Sequence, residues 1–242
     1  MILKILFAVC VIVEIIFTPL YLKAFWPRPN KKSLCFKMIC STAFVCTGIL
    51  SMYIAQNFTH YAKTVLIGLI LGWIGDYFLH AKSTMGFFLT GGGSFMMGHL
   101  AYIIAFIMAI PVFNAEVGFI TVPEFVAFII MLIVFGYIMI KKFHFETPFL
   151  KTVTFLYGFF LLTMLIKSVT LGIICFGTDN ENRVLMLLWL VLAGLMFFAS
   201  DFSLGIMLLG GHNENRRLKV FNIVTYFGAQ MLLASSILFV KA

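Results

Sequence analysis

Apolar residues run in blocks of roughly twenty along this chain, separated by short polar connections. The blocks fall near residues 3–22, 35–55, 62–81, 94–113, 119–140, 152–177, 184–208 and 220–240. Each approaches the ~20 residues that an α-helix needs to cross a hydrocarbon core. The pattern predicts an all-α fold, an integral membrane bundle of eight transmembrane helices. With no stretch left over for a soluble unit, residues 1–242 are expected to form one domain.

Composition agrees, with 11% charged residues against about 25% in soluble domains, and a mean hydropathy of +1.09. The first block begins with Lys4 but carries Glu14 and lacks a convincing small-x-small cleavage site, so a retained helix is expected. The cysteines (Cys10, Cys35, Cys40, Cys46 and Cys175) have no CxxC spacing and fall mostly within blocks, which predicts buried free thiols rather than disulfides or zinc ligands.

The net charge of +8 raises nucleic acid as a partner, and its distribution argues against it. Connections 1–2, 3–4, 5–6 and 7–8 hold Lys23, Arg28, Lys31, Lys32, Lys82, Lys141, Lys142, Lys151, Arg216, Arg217 and Lys219, with Lys37 at the margin. The other side has only Lys4, Lys63, Arg183 and Lys241. The positive-inside rule then puts both termini outside the cytosol and the basic loops inside, against the lipid bilayer. The membrane would be the endoplasmic reticulum in a eukaryote or the inner membrane in a bacterium.

Against this apolar background, two of the three aspartates, Asp76 and Asp201, lie within blocks three and seven. A carboxylate at membrane depth is costly and usually faces a protein interior. The topology puts both in the cytosolic half, at the depth of Lys37, His99, Tyr157, Tyr226 and Gln230, and so predicts an internal polar site there. Asp76 and His80 share a helix face, as do His99 and Tyr102, and Tyr226 and Gln230. Ser200, adjacent to Asp201, points about 100° away, toward a different partner. Gly68, Gly72 and Gly75 make a strip that lets a helix or a ligand approach closely.

Each signal has a plainer explanation. Intramembrane aspartate and histidine can bond across packed helices, tyrosines are common at interfaces, and Lys37 can snorkel to the surface. Gly91-Gly92-Gly93-Ser94 is expected just before span 4, either as a phosphate-binding nest or, more simply, as a turn capped by Ser94. Glu14 is assigned either to packing toward the site or to a salt bridge with Lys167, which otherwise reaches for the non-cytosolic surface.

Gly75-Asp76, then Gly98-His99-Leu100-Ala101-Tyr102, then Phe198-Ala199-Ser200-Asp201, then Thr225-Tyr226-Phe227-Gly228-Ala229-Gln230 occur in this order. The series resembles the YhhN-type lysoplasmalogenases, whose GD, H-x-x-Y, F-x-x-S-D and T-Y-x-x-A-Q motifs follow one another in the same way. Lys37 resembles the family's second-span lysine, and Tyr157 and Met164 its sixth-span Tyr and Met. The likeness extends over essentially the whole chain. Met38 after Lys37 and the triple glycine before Ser94 depart from it.

The resemblance implies a hydrolase that cleaves the vinyl ether bond of a lysophospholipid substrate, a lysoplasmalogen. The products would be a fatty aldehyde and glycerophospho-ethanolamine or -choline, with no cofactor and no metal. Asp76 and Asp201 would be the catalytic pair, sharing the roles of proton donor, cation stabiliser and base as in glycoside hydrolysis. His99 and Tyr102 would orient a carboxylate or water, and Tyr226 and Gln230 would hold the glycerol or head. Lys37 would meet the phosphate. Tyr157 and Ser200 complete the expected set.

Rival readings remain. An intramembrane aspartyl protease would need glycine where Ile74 stands. A three-histidine metal site is disfavoured because His60, His144 and His212 fall in loops. The non-enzyme alternative is a proton-coupled transporter or lipid-binding membrane protein, and the oligomeric state is open.

Overall fold

A computed structural model describes residues 1–26, 28–81, 84–143, 145, 147–211 and 215–242. Lys82, His144 and His212, which figure in the sequence expectations, lie outside the described residues. Eight α-helices follow one another: α1 Ile2–Phe25, α2 Lys31–Ala55, α3 His60–Ala81, α4 Met85–Phe113, α5 Val122–Lys142, α6 Pro148–Phe176, α7 Arg183–Leu209 and α8 Arg216–Ser236. No strand occurs among the described residues. Helices α1 to α7 are long and apolar enough to cross a membrane, which makes this a multi-pass membrane protein.

The helix starts are chemically marked. Asn30 and Ser33 form a reciprocal capping box on α2, and Thr121 and Glu124 form another on α5. Thr84, Thr147 and Asn215 accept from the first-turn amides of α4, α6 and α8. Each cap satisfies a backbone donor that the helix itself leaves unpaired. His60 is the first residue of α3, not a loop residue.

Two of the sequence expectations are corrected here. The glycine run does not precede the fourth helix: α4 starts at Met85 with Thr84 as its cap, so Gly91, Gly92 and Gly93 lie two turns inside it. Ser94 caps nothing, and its hydroxyl donates to the Leu71 carbonyl at 2.7 Å. Lys167 neither pairs with Glu14 nor reaches a surface. It is buried and donates to Glu124 Oε1 at 2.8 Å and to the Phe119 carbonyl at 2.6 Å, tying α6 to the start of α5. Glu14 is buried, and neither oxygen finds a partner of hydrogen-bond geometry among the described residues.

Helices α2, α3, α4, α6, α7 and α8 pack in succession and close on themselves through α8 and α2; α1 lies against α2 and α8, and α5 against α6. The outer helices α1 and α5 expose continuous apolar faces (Ile5, Ile12, Ile16; Val126, Ile130, Ile133), as a lipid environment requires. Helix α8 carries Arg216, Arg217, Lys219, Asn222 and Gln230, and its mean apolarity is correspondingly low. Arg216 and Arg217 are exposed at its start, whereas Asn222 and Gln230 are buried where it packs on α1, α2, α3 and α7. At its far end, Asn57 donates to the carbonyls of Ile237 and Val240 at 2.8 Å each, and Tyr61 bonds Ser236 at 2.7 Å.

All five cysteines are free; Cys40 and Cys175 are buried, whereas Cys35 is exposed.

Candidate active site

Glycines on α3 and α4 make room for the polar side chains between the helices. A Cβ at Gly68 would collide with the Tyr102 ring, and one at Gly72 would lie 2.5 Å from Gln230 Nε2. Phe95 fills the space over Gly75, and Gly98 approaches the Gly68 carbonyl. The strip therefore receives side chains from α4 and α8.

Asp76 is almost completely buried, at 1% exposure, and both its oxygens are engaged. Lys37 Nζ, from α2, lies 2.9 Å from Oδ1 in an ion pair that is itself buried. Oδ2 accepts from Ser41 at 2.5 Å and from Tyr226 at 2.8 Å. Beyond Tyr226 the chain continues, with Gln230 Nε2 donating to the Tyr226 hydroxyl at 3.2 Å and Tyr102 donating to Gln230 Oε1 at 2.7 Å. Lys37, Tyr102, Tyr226 and Gln230 thus belong to one network on α2, α3, α4 and α8.

Asp201 has a different company. Oδ2 accepts from His99 Nε2 at 2.9 Å and from the Tyr157 hydroxyl in a shorter bond. His99 is wholly buried and its Nδ1 has no hydrogen-bond partner. The proton therefore belongs on Nε2, because a carboxylate can only accept. No hydrogen bond among the described residues engages Oδ1 of Asp201.

One aromatic side chain packs against both networks. The Phe197 ring meets His99 edge-on at 4.8 Å between centroids and Tyr226 at 5.8 Å. The two aspartates share no hydrogen-bond partner among the described residues, and Phe197 packs against both networks.

The Asp201 side opens on a cavity of about 330 Å³ between α4, α5, α6 and α7. Asp201, Tyr157 and Thr154 are its polar lining, and the rest is mainly apolar, including Phe95, Met96, Phe135, Met139 and Leu161. Neither Asp76 nor Lys37 lines it. Such a shape, apolar walls with few convergent polar groups, is the usual form of a small-ligand site.

Over residues 32–237 the chain matches the model of the YhhN family, which covers most of its length. The chain belongs to the YhhN family. That family is associated with lysoplasmalogenase activity, which suggests a hydrolase. No curated protein and no solved structure matches significantly.

The remaining expected residues divide in the same way. Ser200 turns from Asp201 and accepts from Asn222 Nδ2 at 3.0 Å through its hydroxyl. His80 pairs with Ser33 at 2.8 Å and packs on Tyr21 and Phe25 rather than on Asp76. Ser41 and Phe197 were missed. Ser41 follows Lys37 by four residues on the same helix face, a spacing that could have revealed it. A phenylalanine among so many carries no comparable signal.

Proposed function

We propose that this protein hydrolyses the vinyl ether bond of lysoplasmalogens, releasing a fatty aldehyde and glycerophospho-ethanolamine or -choline. The observation that carries this reading is the state of Asp201. One oxygen is held by Tyr157 and His99, and the other has no hydrogen-bond partner among the described residues and lies beside an apolar cavity. With two donors committed to Oδ2, Oδ1 is the oxygen from which the acid form would offer its proton to a substrate.

The reaction then needs one carboxyl group in two roles. Asp201 gives its proton to the β-carbon of the alkenyl ether, leaving an oxocarbenium ion beside the new carboxylate. Water adds to the α-carbon and its proton returns to Asp201, which restores the acid. Loss of the glycerol oxygen from the hemiacetal, with transfer of the hydroxyl proton to that oxygen, gives the aldehyde. General acid–base assistance of this kind contributes about 10²–10⁴-fold. The anion next to the cation adds electrostatic stabilisation in a site with little water.

Asp76 joins this scheme as a positioning residue. It fixes Tyr226, Tyr226 packs on Phe197, and Phe197 backs the imidazole that holds Asp201. Lys37, in this reading, neutralises Asp76 rather than a phosphate. Helix α8 counts as an eighth span within a single domain, since its charged start matches the basic connections. The end bearing Asp76 and Asp201 faces the cytosol, and both termini face away.

Purified protein in detergent, without any ion gradient, should release aldehyde from lysoplasmalogen, read by mass spectrometry. Asp201→Asn should abolish release while leaving the fold intact. A folded parent that yields no aldehyde would sink the proposal and turn attention to a carrier of lipid or protons.

A further inference from the structure

Glycine inside a helix is unfavourable by roughly 0.5–1 kcal/mol relative to alanine, so each helical glycine invites the question of what its missing Cβ permits. For Gly68, Gly72, Gly75 and Gly91 the answer is a neighbour. At Gly91 a Cβ would come within 3.0 Å of the Leu79 amide nitrogen and 3.3 Å of the Gly75 carbonyl, so this glycine sets how closely α3 and α4 approach. Gly92 and Gly93 differ. A Cβ at either would have nothing within 4 Å, and both are on the wall of the cavity that holds Asp201. Among the described residues, no atom requires these two to be glycine.

We infer that Gly92 and Gly93 keep open the part of the cavity that receives the substrate's hydrocarbon chain, and that they set the chain length it accepts. The inference rests on the reading of Asp201 as the reacting group. The occupant is an unbranched apolar chain, because Phe135, Met139, Leu161 and Met96 supply the surrounding wall and Asp201 and Tyr157 supply its polar limit. Both glycines line that volume, and the space beside each is open to a side chain. Each methylene excluded should weaken binding about fourfold, the contribution of one buried CH₂.

The test uses full-length protein in detergent and saturated alkyl-ether lysophosphoethanolamines with dodecyl, tetradecyl, hexadecyl and octadecyl chains. These lack the vinyl double bond and cannot be hydrolysed by the proposed route, so dissociation constants can be measured directly. Gly92→Val and Gly93→Val should move the preference toward shorter chains, losing affinity for the longest about fourfold per excluded methylene. Gly86→Val, equally free of neighbours but away from the cavity, should leave the order of chain lengths unchanged. If the valine proteins do not fold, the double variant Gly92→Ala/Gly93→Ala should produce the same shift to a smaller extent. An unchanged chain-length order in folded 92 and 93 variants overturns the inference. A shift in binding from a parent that makes no aldehyde would uphold the chain site and defeat the vinyl ether reading; aldehyde release with no shift would do the reverse.

Discussion

The buried Lys37–Asp76 pair allows catalysis and positioning to be told apart by adding a second mutation. Unit charges 2.9 Å apart attract by about 6 kcal/mol at an effective dielectric constant near 20, and most of this is offset by desolvating both groups. Removing one partner leaves the other buried without its counterion, which costs about 3–5 kcal/mol. The two single variants should not be equal. Lys37→Met strands a carboxylate at 1% exposure with only the Ser41 and Tyr226 hydroxyls on it. Asp76→Asn strands an ammonium whose flexible stem can withdraw toward the interface, so its loss should fall at the lower end. The double variant Lys37→Met/Asp76→Asn removes both charges of the pair, and should be less destabilised than Lys37→Met alone. Reversible unfolding in mixed micelles gives the free energies, and aldehyde release gives the activity. If Asp76 only positions Tyr226, the double variant should recover turnover to within about tenfold of the parent, since asparagine can still accept from Tyr226. A double variant that is well folded yet releases no aldehyde would refute positioning and restore Asp76 as a reacting carboxylate. Additive losses of stability would refute the ion pair itself.

Four further outcomes are expected. Tyr157→Phe removes one donor from the Asp201 carboxyl and should lower kcat/KM by roughly ten- to hundredfold without a comparable loss of stability, read from steady-state aldehyde release. Lys167→Met leaves Glu124 unpaired at the α5 start and should destabilise by about 3–5 kcal/mol, while chain-length preference in the binding assay stays as in the parent. Gly68→Ala forces the Tyr102 ring to move and should destabilise by about 1–3 kcal/mol, whereas Gly92→Ala should raise stability by up to ~1 kcal/mol; thermal unfolding of the two proteins side by side checks the contrast. Glu14→Leu replaces a buried carboxyl group whose oxygens find no partner of hydrogen-bond geometry among the described residues and should be neutral or stabilising in the same measurement.

The residues of the candidate site were legible because a polar group in an apolar block stands out, and its place in the block gives its depth. Who bonds to whom was not. Lys37 and Asp76 both stood out, yet a lysine near a helix start is as well explained by a surface as by a partner, and only the packing of α2 on α3 decides for the ion pair. The glycine run was misread for a physical reason. In water, consecutive glycines expose backbone groups that solvent can satisfy, so three together suggest a turn. In lipid those groups have no partner except within the helix, and Gly91–Gly93 stay helical because leaving the helix would strand them. The same constraint explains α8. Its Arg216, Arg217, Lys219, Asn222 and Gln230 lower its apolarity below that of α1 to α7, and for the buried Asn222 and Gln230 neighbouring helices supply what water would otherwise supply. In this fold the least apolar helix is the one that touches α1, α2, α3 and α7, and it brings Tyr226 and Gln230 to Asp76. The cavity lies beside Asp201, where side chains are missing rather than present. An absence of that kind leaves no mark in a hydropathy pattern; it becomes visible only when α4, α5, α6 and α7 are set around Gly92 and Gly93.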